Sequence, residues 1–145
     1  MPRMVFINLP VSDLDRSIAF YKAVGAEQNA QFTDETASMM SFSDTIAVML
    51  LTHEKFNHFT SKAIADAHST SEVLLALSAN SREDVDAMVG KAEAAGAVLD
   101  PTPKQDYGFM YGRSFEDPDG HIWEVMWMDV EAALAAGSPT EPVAA

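Results

Sequence analysis

The chain contains no cysteine among its 145 residues, which excludes disulfides, thiolate nucleophiles and Cys-ligated zinc or iron–sulfur centres. Basic residues are scarce as well, since 9 Lys and Arg stand against 22 Asp and Glu, for a formal charge of −13. Such a surface repels phosphate backbones and anionic lipids, so neither nucleic acid nor membrane is an expected partner. The same charge favours a cationic small molecule.

Long apolar runs are also missing. The longest, such as Ile46–Leu51, have six residues, far fewer than the roughly 20 that span a bilayer. The N-terminal residues lead directly into a strand-like segment without the apolar core of a signal peptide. We therefore expect a cytoplasmic protein with a single domain over residues 1–130 and a C-terminal tail over 131–145.

Two parts of the chain follow the same plan. In each, a strand-like segment (Met4–Val11 and Val73–Ala79) leads into a Ser-x-x-Asp tetrad, Ser12–Asp15 and Ser81–Asp84. A serine hydroxyl at this position accepts a hydrogen bond from a free N–H group of a helix, and an aspartate is favoured in the positively polarised first turn. Each tetrad therefore predicts the start of a helix.

Further matching features follow each predicted helix. A glycine ends each helix, Gly25 and Gly96, in the contexts Ala-Val-Gly-Ala and Ala-Ala-Gly-Ala. The pairs Ser41-Phe42 and Ser114-Phe115 recur 73 positions apart, close to the spacing of 71 between the glycines. A spacing that changes so little over a helix and several strands indicates an internal duplication.

The repeat predicts an α+β fold made of two paired βαβββ modules. Module one covers about residues 3–52, a polar and helical connector covers 53–70, and module two covers about 71–128. The Ala-rich tail that follows is expected to fray.

Two motifs carry a resemblance to a known family. The first is Leu9–Tyr21, with the sequence LPVSDLDRSIAFY, and the second is Phe115–Glu124, FEDPDGHIWE. They are similar to the strand-into-helix motif and to the Asp-Pro-x-Gly turn with its following Glu in the vicinal oxygen chelate superfamily of glyoxalases, bleomycin-resistance proteins and extradiol dioxygenases. The resemblance implies that the two modules curl their sheets into an open cup, which holds a metal ion or a ligand.

Family enzymes hold a divalent ion with His or Glu on the first and last strands of each module. The resemblance places Glu124 at the ligand position of the last strand, where it is also a candidate catalytic base. On the first strand it places Phe6, with Asn8 on the same face of the strand as a weak donor. At the first strand of module two it places Leu74, and Glu72 is the nearest donor.

The last strand of module one offers only Val48 or Leu50 where a carboxylate is wanted. A catalytic ion needs about three protein ligands, and this chain supplies Glu124 with Asn8 and Glu72 as weak candidates. We therefore assign no cofactor, and a divalent metal remains the alternative.

Aromatic residues and one arginine are concentrated in the segment before the second motif. Phe109, Tyr111 and Arg113 alternate onto one face, a pattern suited to a polar, unsaturated small molecule. In the alternative interpretation, the aromatics belong to the core and Arg113 pairs with a carboxylate. The full set of predicted ligand-binding residues comprises Phe6, Asn8, Leu50, Phe109, Tyr111, Arg113 and Met126.

Three functions remain open at this point. The first is a protein that binds an unidentified small molecule in the cup, without the full metal site of the family. The second is a metal-dependent lyase or isomerase resembling lactoylglutathione lyase, or a dioxygenase, that uses Glu124. The third is a non-catalytic interaction module. The sequence leaves open whether the protein is an enzyme.

Apolar residues also suggest an assembly. Trp123 and Trp127 lie on the face opposite Glu124, and the segment Ala132–Ala136 is rich in alanine. These residues could form an isologous contact, so we expect a homodimer.

Overall fold

The computed structural model describes residues 2–137. They form two compact units, which are interleaved along the sequence. The first contains the residues up to Thr70 together with Pro118–Gly120, and the second contains Ser71–Asp117 together with the chain from His121 onward.

The first unit is a βαβββ module followed by a short helix. Its sheet has the order β1-β4-β3-β2, with β1 parallel to β4 and the other pairs antiparallel. The elements are β1 (Val5–Val11), α1 (Leu14–Ala23), β2 (Glu27–Thr33), β3 (Ala37–Ser41), β4 (Ile46–Thr52) and α2 (His53–Asn57).

The second unit repeats this plan with one additional short strand. Its sheet has the order β5-β9-β8-β6, and β7 also pairs with β8. The elements are β5 (Leu75–Ser78), α3 (Arg82–Ala94), β6 (Val98–Leu99), β7 (Gln105–Asp106), β8 (Met110–Glu116), β9 (Ile122–Met128) and α4 (Val130–Ala136). The predicted α+β fold of two βαβββ modules is thus confirmed.

The two helices that follow the first strands begin differently. Ser81 caps α3 as predicted, because its hydroxyl accepts a hydrogen bond of 3.0 Å from the N–H of Asp84. Helix α1 is capped by Asp13, whose carboxylate accepts from the N–H of Arg16 at 3.1 Å. The prediction that Ser12 caps α1 was wrong, since both its N–H and its hydroxyl donate to Asp119, at 2.9 and 2.8 Å.

Alternation along β9 determines the two faces of the second sheet. Trp123 and Val125 are each only 1% exposed and lie on the side where α3 packs on β8 and β9. Glu124 and Met126 point to the other side and are half-buried. Because Trp123 is buried within the chain, it cannot supply the intersubunit contact that the sequence suggested for it.

The connector contains less helix than expected, and the tail contains more. In the connector only His53–Asn57 is helical, and turns and bends follow it. In the tail, α4 extends to Ala136 without a buried side chain, and residues 138–145 lie outside the described part of the chain. No helix within residues 2–137 is both long enough and apolar enough to cross a membrane.

Candidate ligand-binding site

A shallow pocket lies on the face of the second sheet that α3 does not cover. It contains about 250 Å³ of empty space and is largely open to solvent. The residues that line the pocket are Thr102, Pro103, Gln105, Gly112, Arg113, Glu124 and Met126. The pocket can therefore receive one functional group of a ligand whose remaining part stays outside.

Glu124 supplies the only acidic side chain of this lining. It lies in the middle of β9, opposite Ser114 on β8 and Ala76 on β5. Within residues 2–137 its carboxylate forms no hydrogen bond and no ion pair. A half-buried carboxylate without a partner in its own fold is available to a ligand.

Gly112 and Met126 form the floor beside Glu124. They are directly paired across β8 and β9, and a Cβ added to Gly112 would lie 3.4 Å from Cγ of Met126. The missing side chain therefore leaves the space above this strand pair open.

Tyr111 and Arg113 share one face of β8, as predicted, but their side chains lie on the side of α3. The Tyr111 hydroxyl donates to Asp86 at 2.7 Å, and Arg113 donates to Asp86 at 3.1 Å and to Asp100 at 2.8 Å. Phe109 stacks on Tyr107 with the ring centroids 6.1 Å apart. These are the contacts of the alternative interpretation, in which Arg113 pairs with carboxylates, and a role of the three residues in ligand binding stays a prediction.

The cluster keeps Asp86 and Arg113 charged and Tyr111 neutral. Burial raises the pKa of the Tyr111 phenol, and its hydrogen bond to Asp86 raises it further. For Asp86 burial alone would raise the pKa, but the hydrogen bonds from Tyr111 and Arg113 outweigh it and lower the pKa overall. The cluster thus stabilises α3 against the sheet and is not poised for proton transfer near neutral pH.

The residues predicted in the first unit lie on two different faces of its sheet. Phe6 and Asn8 are paired with Ala47 and Met49, and both are exposed. Leu50 is paired with Leu9 and is fully buried, on the opposite face. The structure therefore does not bring Leu50 together with Phe6 and Asn8. Their ligand-binding roles stay predictions.

The strand register identifies the position in module one that corresponds to Glu124. Glu124 is opposite Ser114, and the counterpart of Ser114 in the repeat, Ser41, is opposite Ala47. The expected ligand position is therefore Ala47 and not Val48 or Leu50.

The donor set does not fit the metal site of family enzymes. Phe6 is opposite Ala47, and Ala76 is opposite Glu124, so the expected position on the first strand of module two is Ala76 and not Leu74. Of these four residues only Glu124 can bind a metal ion. Glu72 is exposed, and across residues 2–137 no three His, Asp or Glu side chains are grouped so that they could hold an ion. One carboxylate falls short of the three or so protein ligands that a catalytic ion requires.

Sequence reasoning found three of the pocket residues and missed others. Arg113, Glu124 and Met126 were predicted and do line the pocket, whereas Thr102, Pro103 and Gln105 were not singled out. The only available signal was the pair of prolines at 101 and 103, which predicts an extended segment without a helix.

The chain contains two copies of a βαβββ module, and Glu124 lies on the last strand of the second copy. These features define the class of paired βαβββ proteins. The family model of the glyoxalase/bleomycin resistance protein/dioxygenase superfamily matches residues 3–125, and the chain belongs to this superfamily. No match is found among curated proteins.

Solved structures agree with this assignment. The hypothetical protein SA1046 from S. aureus is 27% identical, with a TM-score of 0.73 over 88% of this chain and 94% of that one. A glyoxalase/bleomycin resistance protein/dioxygenase family enzyme from Burkholderia phytofirmans is 20% identical, with a TM-score of 0.72 over 88% and 99%. The fosfomycin resistance protein FosX from Mesorhizobium loti is 16% identical, with a TM-score of 0.66 over 92% and 98%. At the two lower identities the likeness shows the fold alone.

Proposed function

We propose that this protein binds a small molecule through a cationic group, which Glu124 holds in the pocket of the second unit, without the full metal site of the family. The observation that carries the proposal is the half-buried carboxylate of Glu124, which has no hydrogen-bond or ion-pair partner within residues 2–137. An ammonium group that donates to this carboxylate would satisfy it.

The net charge of −13 supports a cationic ligand in a second way. It raises the local concentration of small cations and lowers that of anions, an effect that is screened beyond about 8 Å at physiological salt. The resistance to fosfomycin that is named for one of the solved structures is not extended to this chain, because the two chains are only 16% identical.

A matched series of probes tests the proposal. Benzylammonium, benzyl alcohol and benzoate share one ring and differ in charge, and their binding is followed by NMR titration of the backbone amides. We expect benzylammonium to bind most tightly and to shift amides of β8 and β9. Glu124→Gln should weaken benzylammonium about tenfold, because a charge-assisted hydrogen bond contributes about 1.5 kcal/mol, and should leave benzyl alcohol unchanged.

The matched control is Glu93→Gln, which removes the same charge from an exposed position of α3 in the same unit. It should weaken benzylammonium by less than about twofold. Equal affinity for the three probes, or an equal loss in both variants, would contradict the role of Glu124.

The position of Glu124 favours one alternative function, a metal-dependent lyase, isomerase or dioxygenase. Inductively coupled plasma analysis of the purified protein distinguishes the two. We expect well below one equivalent of nickel, zinc, iron or manganese per chain. A stoichiometric ion that is lost in Glu124→Gln would replace our proposal by the enzyme.

A further inference from the structure

One wall of the pocket is a short segment that follows β6 and runs along the edge of β8 into β7. We call residues 101–105 the strap. Thr102, Pro103 and Gln105 of the strap line the pocket opposite Glu124 and Met126. Because these three residues are among the seven that line this shallow pocket, the position of the strap determines which groups can enter.

The strap is held at its N-terminal end by an ion pair. Arg113 donates to the two carboxylate oxygens of Asp100 at 2.8 and 3.3 Å, and the N–H of Asp100 donates to the carbonyl of Ser114 at 2.8 Å. Asp100 has φ of +49°, a left-handed conformation that aspartate and asparagine tolerate better than most residues. Hydrogen bonding to Asp100 raises the pKa of the Arg113 guanidinium, which stays charged at every accessible pH.

A second ion pair holds the C-terminal end. Arg82 donates to both oxygens of Asp106, at 3.2 and 2.5 Å. The guanidinium of Arg82 also lies over the ring of Tyr111, 4.5 Å from its centroid. This contact fixes the arginine to the side of the sheet where α3 packs.

Between these two ends the strap is stiff and also contacts β8, through hydrogen bonds between Thr102 and Ser114 and through the pairing of Gln105 with Gly112. Pro101 and Pro103 restrict two of its φ angles. The hydroxyl oxygens of Thr102 and Ser114 lie 2.8 Å apart. Each ion pair adds to these contacts, so the loss of one lets that end of the strap open more often.

We propose that Arg113 and Arg82 are positioning residues of the pocket: by holding Asp100 and Asp106 they fix the strap along β8 and so set the width of the opening. The consequence of this proposal for ligands rests on the proposed function, but the accessibility of the pocket can be measured without any ligand.

Because the chain contains no cysteine, one introduced thiol can report on the pocket. Met126→Cys places a single thiol at the floor of the pocket, and its reaction with 4,4′-dithiodipyridine, an uncharged reagent, reports how accessible this floor is. The rate is measured in this background alone and combined with Asp100→Asn, with Asp106→Asn, or with both. Asparagine keeps the size of the side chain and tolerates the left-handed conformation at position 100.

We expect each single substitution to raise the rate about fivefold, and the double substitution to raise it further. Asp44→Asn is the control, because it removes one charge from an exposed loop of the first unit and should leave the rate unchanged. Rates are compared per thiolate over a range of pH, so that a changed pKa of the thiol is not mistaken for opening.

Unchanged rates in Asp100→Asn and Asp106→Asn would overturn the proposal. So would an increase that follows the loss of global stability in urea, because the pocket would then open only by unfolding. If one variant fails to fold, the other decides the question alone.

A binding measurement in the natural background adds the connection to function. Asp100→Asn should weaken benzylammonium at least threefold, whereas Asp44→Asn should not. If benzylammonium does not bind even the unsubstituted protein, the proposed function fails, and the thiol rates still decide whether the two ion pairs close the strap.

Discussion

The turn between β8 and β9 offers a sharp test of packing in this fold. Gly120 lies in this turn with φ of +89°, within the first unit. A Cβ at this position would lie 2.7 Å from the backbone nitrogen of His68 and 2.8 Å from the carbonyl carbon of Ala67. Since backbone atoms cannot rotate away as a side chain does, Gly120→Ala must displace either the turn or the connector.

The cost of Gly120→Ala can be estimated from its parts. A left-handed conformation costs an alanine about 1–2 kcal/mol, and overpacking adds about 1–3 kcal/mol. Alanine also restricts the unfolded chain, which returns about 0.4–1 kcal/mol. We therefore expect the free energy of unfolding to fall by about 2–4 kcal/mol, summed from these terms.

Two other glycines separate the contributions. Gly96 has φ of +98° but no atom within 4 Å of the added Cβ, so Gly96→Ala should cost only the conformational part, about 1 kcal/mol. Gly90 lies inside α3, is exposed and has no atom within 4 Å. Gly90→Ala should stabilise the protein by about 0.5–1 kcal/mol.

Equilibrium unfolding in urea gives the three values on one scale. The expected order of stability is Gly90→Ala, the unsubstituted protein, Gly96→Ala and finally Gly120→Ala. A cost for Gly120→Ala within about 0.5 kcal/mol of that for Gly96→Ala would refute the reasoning, because the contact with Ala67 and His68 would then add nothing beyond experimental scatter.

Two further predictions concern charge and assembly. The hydrogen bonds from Arg82 lower the pKa of Asp106 in the folded protein, so the carboxylate of Asp106 takes up a proton more readily in the unfolded chain. The stability that Asp106 contributes is therefore complete above its ordinary pKa of 3.8. It is lost as the pH falls through the lower pKa of the folded state. The difference in unfolding free energy between the unsubstituted protein and Asp106→Asn should therefore shrink from pH 6 towards pH 3, and a constant difference would contradict the ion pair. We also expect a homodimer, to which the half-exposed Trp127 and the exposed Val130 and Leu134 contribute apolar surface. Light scattering in about 0.15 M salt should give the mass of two chains. The mass of one chain at micromolar concentration would refute this prediction.

The fold was predictable because its signals are local and occur twice. Glycines at the ends of both helices and a serine or aspartate at their starts each mark a boundary without reference to the rest of the chain. Even the error at Ser12 was small, since the adjacent Asp13 took over the cap. The reason for that shift, Asp119, lies more than a hundred residues away, beyond the reach of local patterns.

The candidate site was less predictable because, in a strand with apolar residues on both faces, the sequence does not show which face of the sheet each residue occupies. In Ile46–Leu51 every residue is apolar, so alternation could not show that Leu50 faces away from Asn8. The partners of Arg113 were hidden for another reason: with 22 acidic residues in the chain, the sequence does not select Asp86 and Asp100 from the others.

The placement of Pro118–Gly120 has a consequence for how the chain can be divided. These residues belong to the second repeat in sequence but to the first unit in space, where Asp119 accepts hydrogen bonds from Ser12 and Ser17. A fragment that ends at Thr70 contains the whole first repeat and still lacks a part of its own unit. The chain from Ser71 onward, by contrast, contains the whole second unit. The two repeats are therefore not equivalent as fragments, because a cut after Thr70 removes a part of the first unit and no part of the second.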